Sequence, residues 1–414
     1  MQWLFCARII TGRGHYRGFF TVYLPFFPVL KKGMEIRSIL INTGIIHNKT
    51  EFIHDNMVKI LAFYLPQYHP IPENDIWWGK GFTEWTNTAK AKPLFFGHKQ
   101  PHLPSDLGFY DLRVPESRIA QAGLAREYGI DGFIYWHYWF GNGRQLLELP
   151  FNETLKTGKP DFPFCLAWAN HSWIGKWHGL KDDMLFEQKY PGKEDYTAHF
   201  LHLIEAFRDE RYIKINNKPV FIIYSPDDIP ETHRFLDLWQ ELAIKHGFNG
   251  IHFIAINNNL SDHGKDGFEG HTVHQPAHYL SVYEKNLYSR ISGFFKRHSL
   301  GTFPFVLNYA RLISRYRFND FPDKNFIPTI IPNWDTTPRL NTMGWVFHKS
   351  TPELFKKHFQ NAMKFVNEQQ GDHKMIFIKS WNEWAEGNYL EPDQQWGLEY
   401  LQSIKDSLQE IGNK

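Results

Sequence analysis

Two adjoining stretches, Met375-Ile-Phe-Ile378 and Ser380-Trp-Asn-Glu-Trp-Ala-Glu-Gly-Asn-Tyr-Leu-Glu-Pro392, predict the fold. The first is a short apolar run of the kind that forms a strand buried on both faces. The second holds three carboxylates and three aromatic rings, namely Glu383, Glu386, Glu391, Trp381, Trp384 and Tyr389. A buried strand followed at once by such side chains is typical of the strand ends that line the mouth of an α/β barrel.

The rest of the chain repeats this alternation. Predicted strands lie at 58–65, 132–136, 162–168, 219–224, 251–256, 271–274, 327–331 and 375–378, of which 271–274 has the weakest pattern. Predicted helices lie at 115–128, 145–155, 194–207, 231–246 and 283–297, followed by one capped by Ser350 and Glu353 and one ending near Ile411. Alternating strands and helices indicate a parallel sheet. We therefore expect an α/β fold, a single-domain (β/α)8 TIM barrel, with a long aromatic-rich loop at 66–114.

Length and composition limit the function classes. The 414 residues suffice for one large barrel, and the net charge of +2 does not indicate binding to nucleic acid or membrane surfaces through bulk charge. The two cysteines, Cys6 and Cys165, exclude a disulfide framework and a cysteine zinc site. Aromatic residues make up 17% of the chain, and many fall in predicted loops, which a core alone would not require.

Residues 1–56 differ from the remainder. They carry seven basic and three acidic side chains, whereas residues 57–414 carry 39 and 41. The apolar stretch from Phe19 to Leu30 suggests a signal peptide, but Pro25, Pro28 and the lack of a small-residue cleavage site argue against one. We expect 1–56 to be an N-terminal extension outside the folded domain, or the product of a misplaced start codon, and the barrel to occupy 57–414.

Polar and aromatic side chains recur at the C-terminal ends of at least five predicted strands. Flat aromatic faces suit the apolar faces of sugar rings, while carboxylates, amides and imidazoles suit sugar hydroxyls. The predicted substrate-binding residues are Tyr64, Gln67, His69, Trp77, Trp78, Glu84, Trp85, Tyr135, His137, Trp168, Asn170, Tyr224, Trp334, Asp335, Trp381, Asn382, Trp384 and Glu391. Each alone has a structural reading, such as core packing for a tryptophan pair, and only their recurrence at strand ends supports a site.

Glu383 and Glu386 are the predicted catalytic residues. Hydrolysis of a glycosidic bond needs one carboxyl group to protonate the leaving oxygen and a second to act as base or nucleophile. A spacing of three residues places two carboxylates on one side of a helical turn, close enough to move their pKa values apart. The alternative is a solvated helix start with acidic residues favoured by the dipole, and the neighbouring aromatic rings argue against it.

We predict neither a metal nor a cofactor. The histidine pairs at 98 and 102 and at 274 and 278 each enclose a proline, which disfavours a shared helix face. The chain has no His-Glu-x-x-His, no Gly-x-Gly-x-x-Gly and no Gly-x-x-x-x-Gly-Lys motif. It also lacks the Asp-x-Asp triplet that a metal-dependent nucleotide-sugar enzyme commonly shows.

Several motifs from Met57 to the C-terminus resemble those of WbsX-type proteins. They are Ala62-Phe-Tyr-Leu-Pro-Gln-Tyr-His-Pro70, Trp77-Trp-Gly-Lys-Gly-Phe-Thr-Glu-Trp-Thr-Asn87, Gln100-Pro-His-Leu-Pro104, Tyr128-Gly-Ile-Asp-Gly-Phe133, Trp168-Ala-Asn170 and Trp381-Asn-Glu-Trp-Ala-Glu-Gly387. Proteins of this type are often labelled glycosyltransferases of bacterial surface-polysaccharide loci and carry a glycoside hydrolase family 99-like domain. The resemblance implies a (β/α)8 barrel that acts on glycosidic bonds.

Family 99 endo-mannosidases carry their two catalytic carboxylates in a Glu-Trp-His-Glu-Gly motif, to which Glu383-Trp-Ala-Glu-Gly387 is similar. The resemblance implies that Glu383 acts as base on the substrate 2-hydroxyl and that Glu386 acts as general acid and then as base, with retention of configuration. Ala385 replaces the histidine of the motif, which puts a mannoside substrate in doubt.

Three functions remain open at this point: a retaining hydrolase or transglycosidase, a glycosyltransferase of O-antigen or capsule (lipopolysaccharide) biosynthesis, and a non-catalytic glycan-binding barrel. The expected partner is an oligosaccharide or polysaccharide, with no nucleic acid and no stable membrane insertion. A start at Met57 without an export signal favours the cytoplasm. The sugar, the linkage and the oligomeric state do not follow from the sequence.

Overall fold

A computed structural model describes residues 58–175, 184–257, 267–273, 275–279, 303–321, 325–369 and 374–412. The expected extension at 1–56 and the predicted helix at 283–297 lie outside the described residues. The predicted domain bounds therefore stay a prediction.

Eight parallel strands form the centre of the fold. In chain order they are β1 (Lys59–Tyr64), β2 (Gly132–His137), β3 (Phe164–Trp168), β4 (Lys218–Ile223), β5 (His252–Asn257), β6 (Gly270–Val273), β7 (Thr329–Ile330) and β8 (Met375–Ile378). Most of their sequences are apolar because the sheet is covered on both faces, and β2, β3, β6 and β8 are buried along their whole length.

The strands pair in the order β7-β8-β1-β2-β3-β4-β5-β6. An isolated parallel bridge between His271 and Phe326 joins the two outer strands and closes the barrel. At this seam the Ile327 amide donates to the His271 carbonyl at 2.8 Å, and the hydroxyls of Thr272 and Thr329 lie 2.6 Å apart. The predicted TIM barrel is confirmed, including the strand near 271–274.

Helices surround the sheet. The α-helices are Pro72–Trp78, Glu84–Lys90, Pro115–Glu127, Leu149–Thr157, Lys193–Arg208, Thr232–Lys245, Tyr309–Arg315, Thr337–Leu340, Pro352–Glu368 and Glu399–Gly412. Short 3-10 helices lie at Pro226–Asp228, Phe318–Asp320, Asn341–Met343 and Trp384–Glu386. Among the described residues, no helix is long and apolar enough to cross a membrane.

Short strand pairs decorate the barrel. Trp173–Ile174 pairs with Met184–Phe186, Lys214–Ile215 with β4, and Asn382–Glu383 with Asn388–Tyr389, all antiparallel. Phe305–Asn308 pairs in parallel with Trp345–His348. The third of these pairs carries Glu383.

Local predictions were wrong at three places. The loop at 66–114 contains the helices Pro72–Trp78 and Glu84–Lys90. The helix predicted at 145–155 begins only at Leu149, because Gln145 forms a bridge with Trp139 and Pro150 favours the first helical turn. The cap of the helix Pro352–Glu368 is Thr351, whose hydroxyl accepts from the Leu354 amide, whereas Ser350 donates to the Pro332 carbonyl.

Candidate active site

A pocket lies at the C-terminal end of the barrel, where the strand ends converge. Its lining comes from the ends of seven strands or the residues directly after them: Phe63, Trp136, Tyr224, Ile256, Thr272, Val273, Gln275, Thr329 and Lys379. Lys379 is the charged side chain in this lining, and it follows β8 directly. The carboxyl ends of parallel strands thus form the site, as in other barrels of this type.

Glu383 lies beside this pocket and is buried. Its Oε2 atom is 3.9 Å from the Lys379 ammonium nitrogen and has no hydrogen-bond partner among the described residues. Burial raises the pKa of Glu383 to about 7, with a further increase from Glu386, while Lys379 and Arg339 oppose it. A carboxyl group with this pKa can gain and lose a proton near neutrality.

Glu386 is partly exposed and forms an ion pair with Arg339. The same guanidinium contacts Glu84, with 3.0 Å between Nη2 and Oε1 and 3.3 Å between Nε and Oε2. Glu84 is completely buried, and burial raises its pKa although Arg339 lowers it. Arg339 therefore links a carboxylate at the mouth to one beneath it.

Two tyrosines face the same carboxylates. Burial and then the charge of Glu383 raise the pKa of Tyr138, whereas burial and then Glu386 raise that of Tyr224. Both phenols therefore remain protonated at neutral pH and can donate hydrogen bonds. His171 packs against the Tyr224 ring, with 4.9 Å between ring centroids.

The loop that carries Glu383 is anchored to the end of β1. The Asn382 Oδ1 atom accepts from the Leu65 amide at 2.7 Å, and Asn382 Nδ2 donates to the Leu65 carbonyl at 3.0 Å. The Trp384 amide donates to the Tyr68 hydroxyl at 3.1 Å, and that hydroxyl donates to the Asn382 carbonyl. These contacts fix the backbone on both sides of Glu383.

Glu391 holds a buried network beneath the loop. It accepts from Tyr110, Gln121 and Trp384 at 2.8, 2.6 and 2.7 Å. Burial raises its pKa to about 7 even though these three donors lower it. The Trp384 indole stacks on the Tyr389 ring, with 3.9 Å between centroids.

Asp335 fixes the loop after β7 to the Glu386 turn. Its backbone amide donates to the Glu386 carbonyl at 2.8 Å, while its carboxylate accepts from Gln100 at 2.7 Å and lies 2.7 Å from Nε2 of His98. Burial opposes ionisation, but the hydrogen bonds from His98 and Thr337 hold the pKa of Asp335 below its usual value. Gly387 has φ +61°, and a Cβ there would lie 2.6 Å from the Asp335 amide nitrogen, so this turn needs glycine.

Comparison with known proteins identifies the family. The sequence model of the family described as "Glycosyltransferase WbsX" matches residues 60–404. The chain belongs to the WbsX glycosyltransferase family. The protein WxcX of Xanthomonas campestris pv. campestris, from two strains, is 34% identical over 355 residues, which cover 84% of this chain and 49% of WxcX. The chain thus spans about half the length of the curated relatives it matches.

Solved structures share the fold of this WbsX-family chain. An endo-α-mannosidase of glycoside hydrolase family 99 from Bacteroides thetaiotaomicron, in complex with Bis-Tris-propane, is 15% identical, with a TM-score of 0.52. That match covers 86% of this chain and 97% of the other. A glycoside hydrolase-like protein is 16% identical, with a TM-score of 0.54 and coverage of 85% and 94%. At these identities, the similarity concerns the barrel.

Four predicted substrate-binding side chains of this WbsX-family chain point away from the mouth. Tyr64 donates a hydrogen bond to Gln121 at 2.7 Å, and His137 Nε2 lies 2.8 Å from His199 Nε2. The rings of Tyr135 and Trp168 pack on the helix residues Phe151 and Phe235, respectively. Side chains alternate along a strand, so Phe63 and Trp136 face the pocket while their neighbours face the helices. Burial lowers the pKa of His137 to about 3. The structure does not bring these four to the pocket, and their binding role stays a prediction.

The other predicted residues fall into two groups. Glu383, Glu386, Tyr224 and Trp334 meet at the mouth, with Glu84 reaching it through Arg339. The second group lies in the loops and short elements between the barrel strands, and most of its members are buried: Gln67, His69, Trp77, Trp78, Trp85, Asn170, Asp335, Trp381, Asn382, Trp384 and Glu391. Asn170, for example, binds both the amide and the carbonyl of Ser225, at 2.8 and 2.7 Å. For all of these, substrate binding remains a prediction.

The sequence analysis missed Arg339 and Lys379 as site residues. Arg339 follows β7 by nine residues and is far in sequence from both of its carboxylate partners, so no spacing pointed to it. Lys379 stands between β8 and the motif, and its position directly after a strand was a usable signal. Among the described residues, no group of three or more histidine, cysteine or acidic side chains could hold a metal ion.

Proposed function

We propose that this domain is a carbohydrate-active enzyme that cleaves or transfers a glycosidic bond of a bacterial surface polysaccharide, with retention of configuration. One observation carries the proposal: two glutamates three residues apart lie at the barrel mouth, one buried beside Lys379 and the other paired with Arg339, so that their environments differ. Glycosidic-bond chemistry needs two carboxyl groups in different protonation states. The membership of the WbsX family supports a glycosyl substrate.

In the first step, Glu383 accepts the proton of the sugar 2-hydroxyl. The 2-oxygen attacks C1 and displaces the leaving oxygen, which takes a proton from Glu386. The product is a 1,2-anhydro sugar together with the free leaving group. The pKa of Glu383 near 7 makes it a stronger base than an ordinary glutamate, which proton transfer from a weakly acidic hydroxyl requires.

In the second step, Glu386 takes a proton from the incoming hydroxyl, whose oxygen attacks C1. The bond between C1 and the 2-oxygen breaks, and the 2-oxygen recovers the proton from Glu383. Two inversions at C1 give net retention. Water as the incoming group gives hydrolysis, whereas a sugar hydroxyl gives transfer.

The surrounding groups fit this chemistry. The tyrosines at 138 and 224 lie near the carboxylates as hydrogen-bond donors, and the indoles of Trp136 and Trp334 offer flat faces beside Lys379. Arg339 holds the Glu386 carboxylate in place and needs to release it in part when Glu386 is protonated. Substrate binding, which displaces water and adds new partners, is the natural trigger for this release.

The second candidate is a glycosyltransferase that adds sugars to O-antigen or capsule, which the description of the family favours. It predicts saturable binding of a nucleotide sugar or a lipid-linked sugar. We further propose that residues 57–414 form the catalytic unit and that the protein acts in the cytoplasm on biosynthetic glycans.

Turnover by site variants tests the proposal. Glu383→Gln and Glu386→Gln should each abolish product formation from surface-polysaccharide oligosaccharides while the circular dichroism and melting curves stay close to wild type. Glu410→Gln, on the outer helix Glu399–Gly412, is the matched control and should retain full activity. Wild-type activity in either site variant would refute the catalytic pair. Glycan binding without any product in the wild type would identify a binding barrel instead.

A further inference from the structure

Lys379 occupies an unusual position for a lysine. It comes directly after β8, its side chain is 12% exposed, and it lines the pocket at the barrel mouth. Its ammonium nitrogen lies 3.9 Å from Oε2 of Glu383. The two residues are four apart, but they are not on one helix, because Lys379 ends the strand and Glu383 belongs to the hairpin that follows.

Two indoles and a carbonyl hold the ammonium group. It lies 5.3 Å from the ring centroid of Trp334 and 5.9 Å from that of Trp136. It donates to the Gln275 carbonyl at the long distance of 3.5 Å. Aromatic faces stabilise a cation without neutralising it. The positive charge of Lys379 is therefore available to Glu383.

Charged and titratable groups from several elements face Glu383. Arg339 and Glu386 act on it from the helix Thr337–Leu340 and from the 3-10 turn, and Tyr138 and Tyr224 face it from the ends of β2 and β4. His171 follows β3, and burial and the charge of Lys379 both lower its pKa. Among the charges that act on Glu383, Lys379 has the largest effect, ahead of Glu386 and Arg339.

We propose that Lys379 is a positioning residue that favours the ionised form of Glu383 in the buried site and thereby sets the lower pH limit of the reaction. This inference rests on the proposed function, since it takes Glu383 as the base. The aromatic enclosure of Lys379 holds the ammonium beside Oε2, the carboxylate oxygen that has no hydrogen-bond donor among the described residues.

The expected effect follows from electrostatics. Burial alone favours the neutral carboxyl group, and the lysine charge opposes it. Removal of that charge should raise the pKa of Glu383 further. An increase of about one pKa unit from 7 would lower the ionised fraction at pH 7 roughly fivefold.

A pH profile of kcat/KM tests the inference. Lys379→Met, which keeps most of the side-chain length, should shift the acidic limb upward by about one unit and lower kcat/KM at pH 7 roughly fivefold, with recovery at higher pH. Lys379→Arg keeps the charge and should leave the limb near its wild-type position. Lys356→Met removes a lysine that pairs with Glu410 on the outer helices, and it should change nothing. An unshifted limb in Lys379→Met would overturn the inference.

A second measurement does not depend on activity. In protein labelled with 13C at glutamate side-chain carboxyls, the resonance missing from Glu383→Gln identifies Glu383, and its titration midpoint can be followed by NMR. The midpoint should rise in Lys379→Met and not in Lys379→Arg. A rise without any turnover would leave the charge coupling intact and reject the proposed function. Equal midpoints in wild type and Lys379→Met would reject the coupling itself.

Discussion

The carboxylate of Glu84 is completely buried, and its Oε1 atom lies 3.0 Å from Nη2 of Arg339. The same guanidinium extends to Glu386 at the barrel mouth. A buried carboxylate without a cation is unfavourable, so Glu84 and Arg339 depend on each other. The pair therefore supports Glu386 from the helix Thr337–Leu340, which is distant from Glu386 in the chain.

Arg339→Met should destabilise the domain. It leaves Glu84 buried without its cation, and loss of one partner of a buried pair typically costs about 3–5 kcal/mol. Urea denaturation measures the free energy of unfolding. Glu84→Gln removes the buried negative charge. The double variant Glu84→Gln/Arg339→Met should therefore lose less free energy of unfolding than the two single variants together, by at least about 1 kcal/mol.

Arg208→Met is the control for this prediction. Arg208 pairs with Glu205 on the surface of an outer helix, and both side chains are more than half exposed. Exposed pairs contribute little. Strict additivity of Glu84→Gln and Arg339→Met would show that the two side chains are not coupled.

Glu391→Gln should change how stability depends on pH. The pKa of Glu391 in the folded state is about 7, above its ordinary value of 4.5, so the folded state binds more protons than the unfolded state between these values. Stability therefore falls as pH rises through this window. Glutamine does not titrate. The free energy of unfolding of the variant, relative to that of wild type, should therefore increase by on the order of 3 kcal/mol between pH 4 and pH 8.

Thermal melts at a series of pH values measure this difference. Glu391→Ala is the contrasting variant, because it leaves Tyr110, Gln121 and Trp384 without their acceptor and should destabilise the fold at every pH. A constant difference between Glu391→Gln and wild type across the range would mean that Glu391 has the same pKa in the folded and unfolded states.

Asn382→Asp should lower the free energy of unfolding by more than the small change in side-chain size suggests. The amide of Asn382 both donates to and accepts from Leu65, and a carboxylate would place an oxygen against the Leu65 carbonyl. An unsatisfied buried group of this kind costs about 1–3 kcal/mol, and repulsion adds to it. Chemical denaturation gives the value. Asn142→Asp, at an exposed turn position with φ 53°, serves as the control and should be neutral.

Tyr64→Phe and Tyr224→Phe should separate structure from binding. Tyr64 faces the helix Pro115–Glu127, so loss of its hydroxyl should lower stability by about 1 kcal/mol and leave KM unchanged. Tyr224 lines the mouth pocket, so its variant should lower kcat/KM roughly tenfold with little change in stability. Steady-state kinetics and melting curves on the same samples decide the matter. A raised KM in Tyr64→Phe would show that this side chain reaches the substrate.

The sequence predicted the barrel because each core strand is an apolar run that burial on both faces requires. The 271–274 strand, the weakest in pattern, is confirmed because its neighbours supply pairing that its own sequence does not display. The prediction of Ser350 as the helix cap was wrong because two neighbouring residues, Ser350 and Thr351, both carry a hydroxyl. The Ser350 hydroxyl contacts Pro332 and Tyr400, which leaves Thr351 to cap the helix.

The site was harder to predict for two physical reasons. A strand alternates its side chains between pocket and helices, and a predicted strand end does not reveal which of Tyr135 and Trp136 faces inward. The charges that act on the glutamates also come from distant segments, as with Arg339. Glu383 and Glu386 were predicted as the catalytic pair because their chemistry and spacing lie in one short motif, whereas their charged partners share no local pattern; their catalytic role stays a prediction.

The seam of the barrel has a mechanical consequence. Among the described residues, seven junctions between neighbouring strands are continuous ladders, whereas the eighth shows the His271 bridge and a few hydrogen bonds. The described part of this seam has fewer backbone hydrogen bonds than the pairing of β1 with β2, so local opening there should cost less free energy. The backbone amides of residues 271 and 327 should therefore exchange with solvent faster than those of β1 and β2. Thr272 and Thr329 lie at this seam and also line the pocket. Local opening of this seam would thus widen the pocket, and a bound glycan would slow the exchange of these amides.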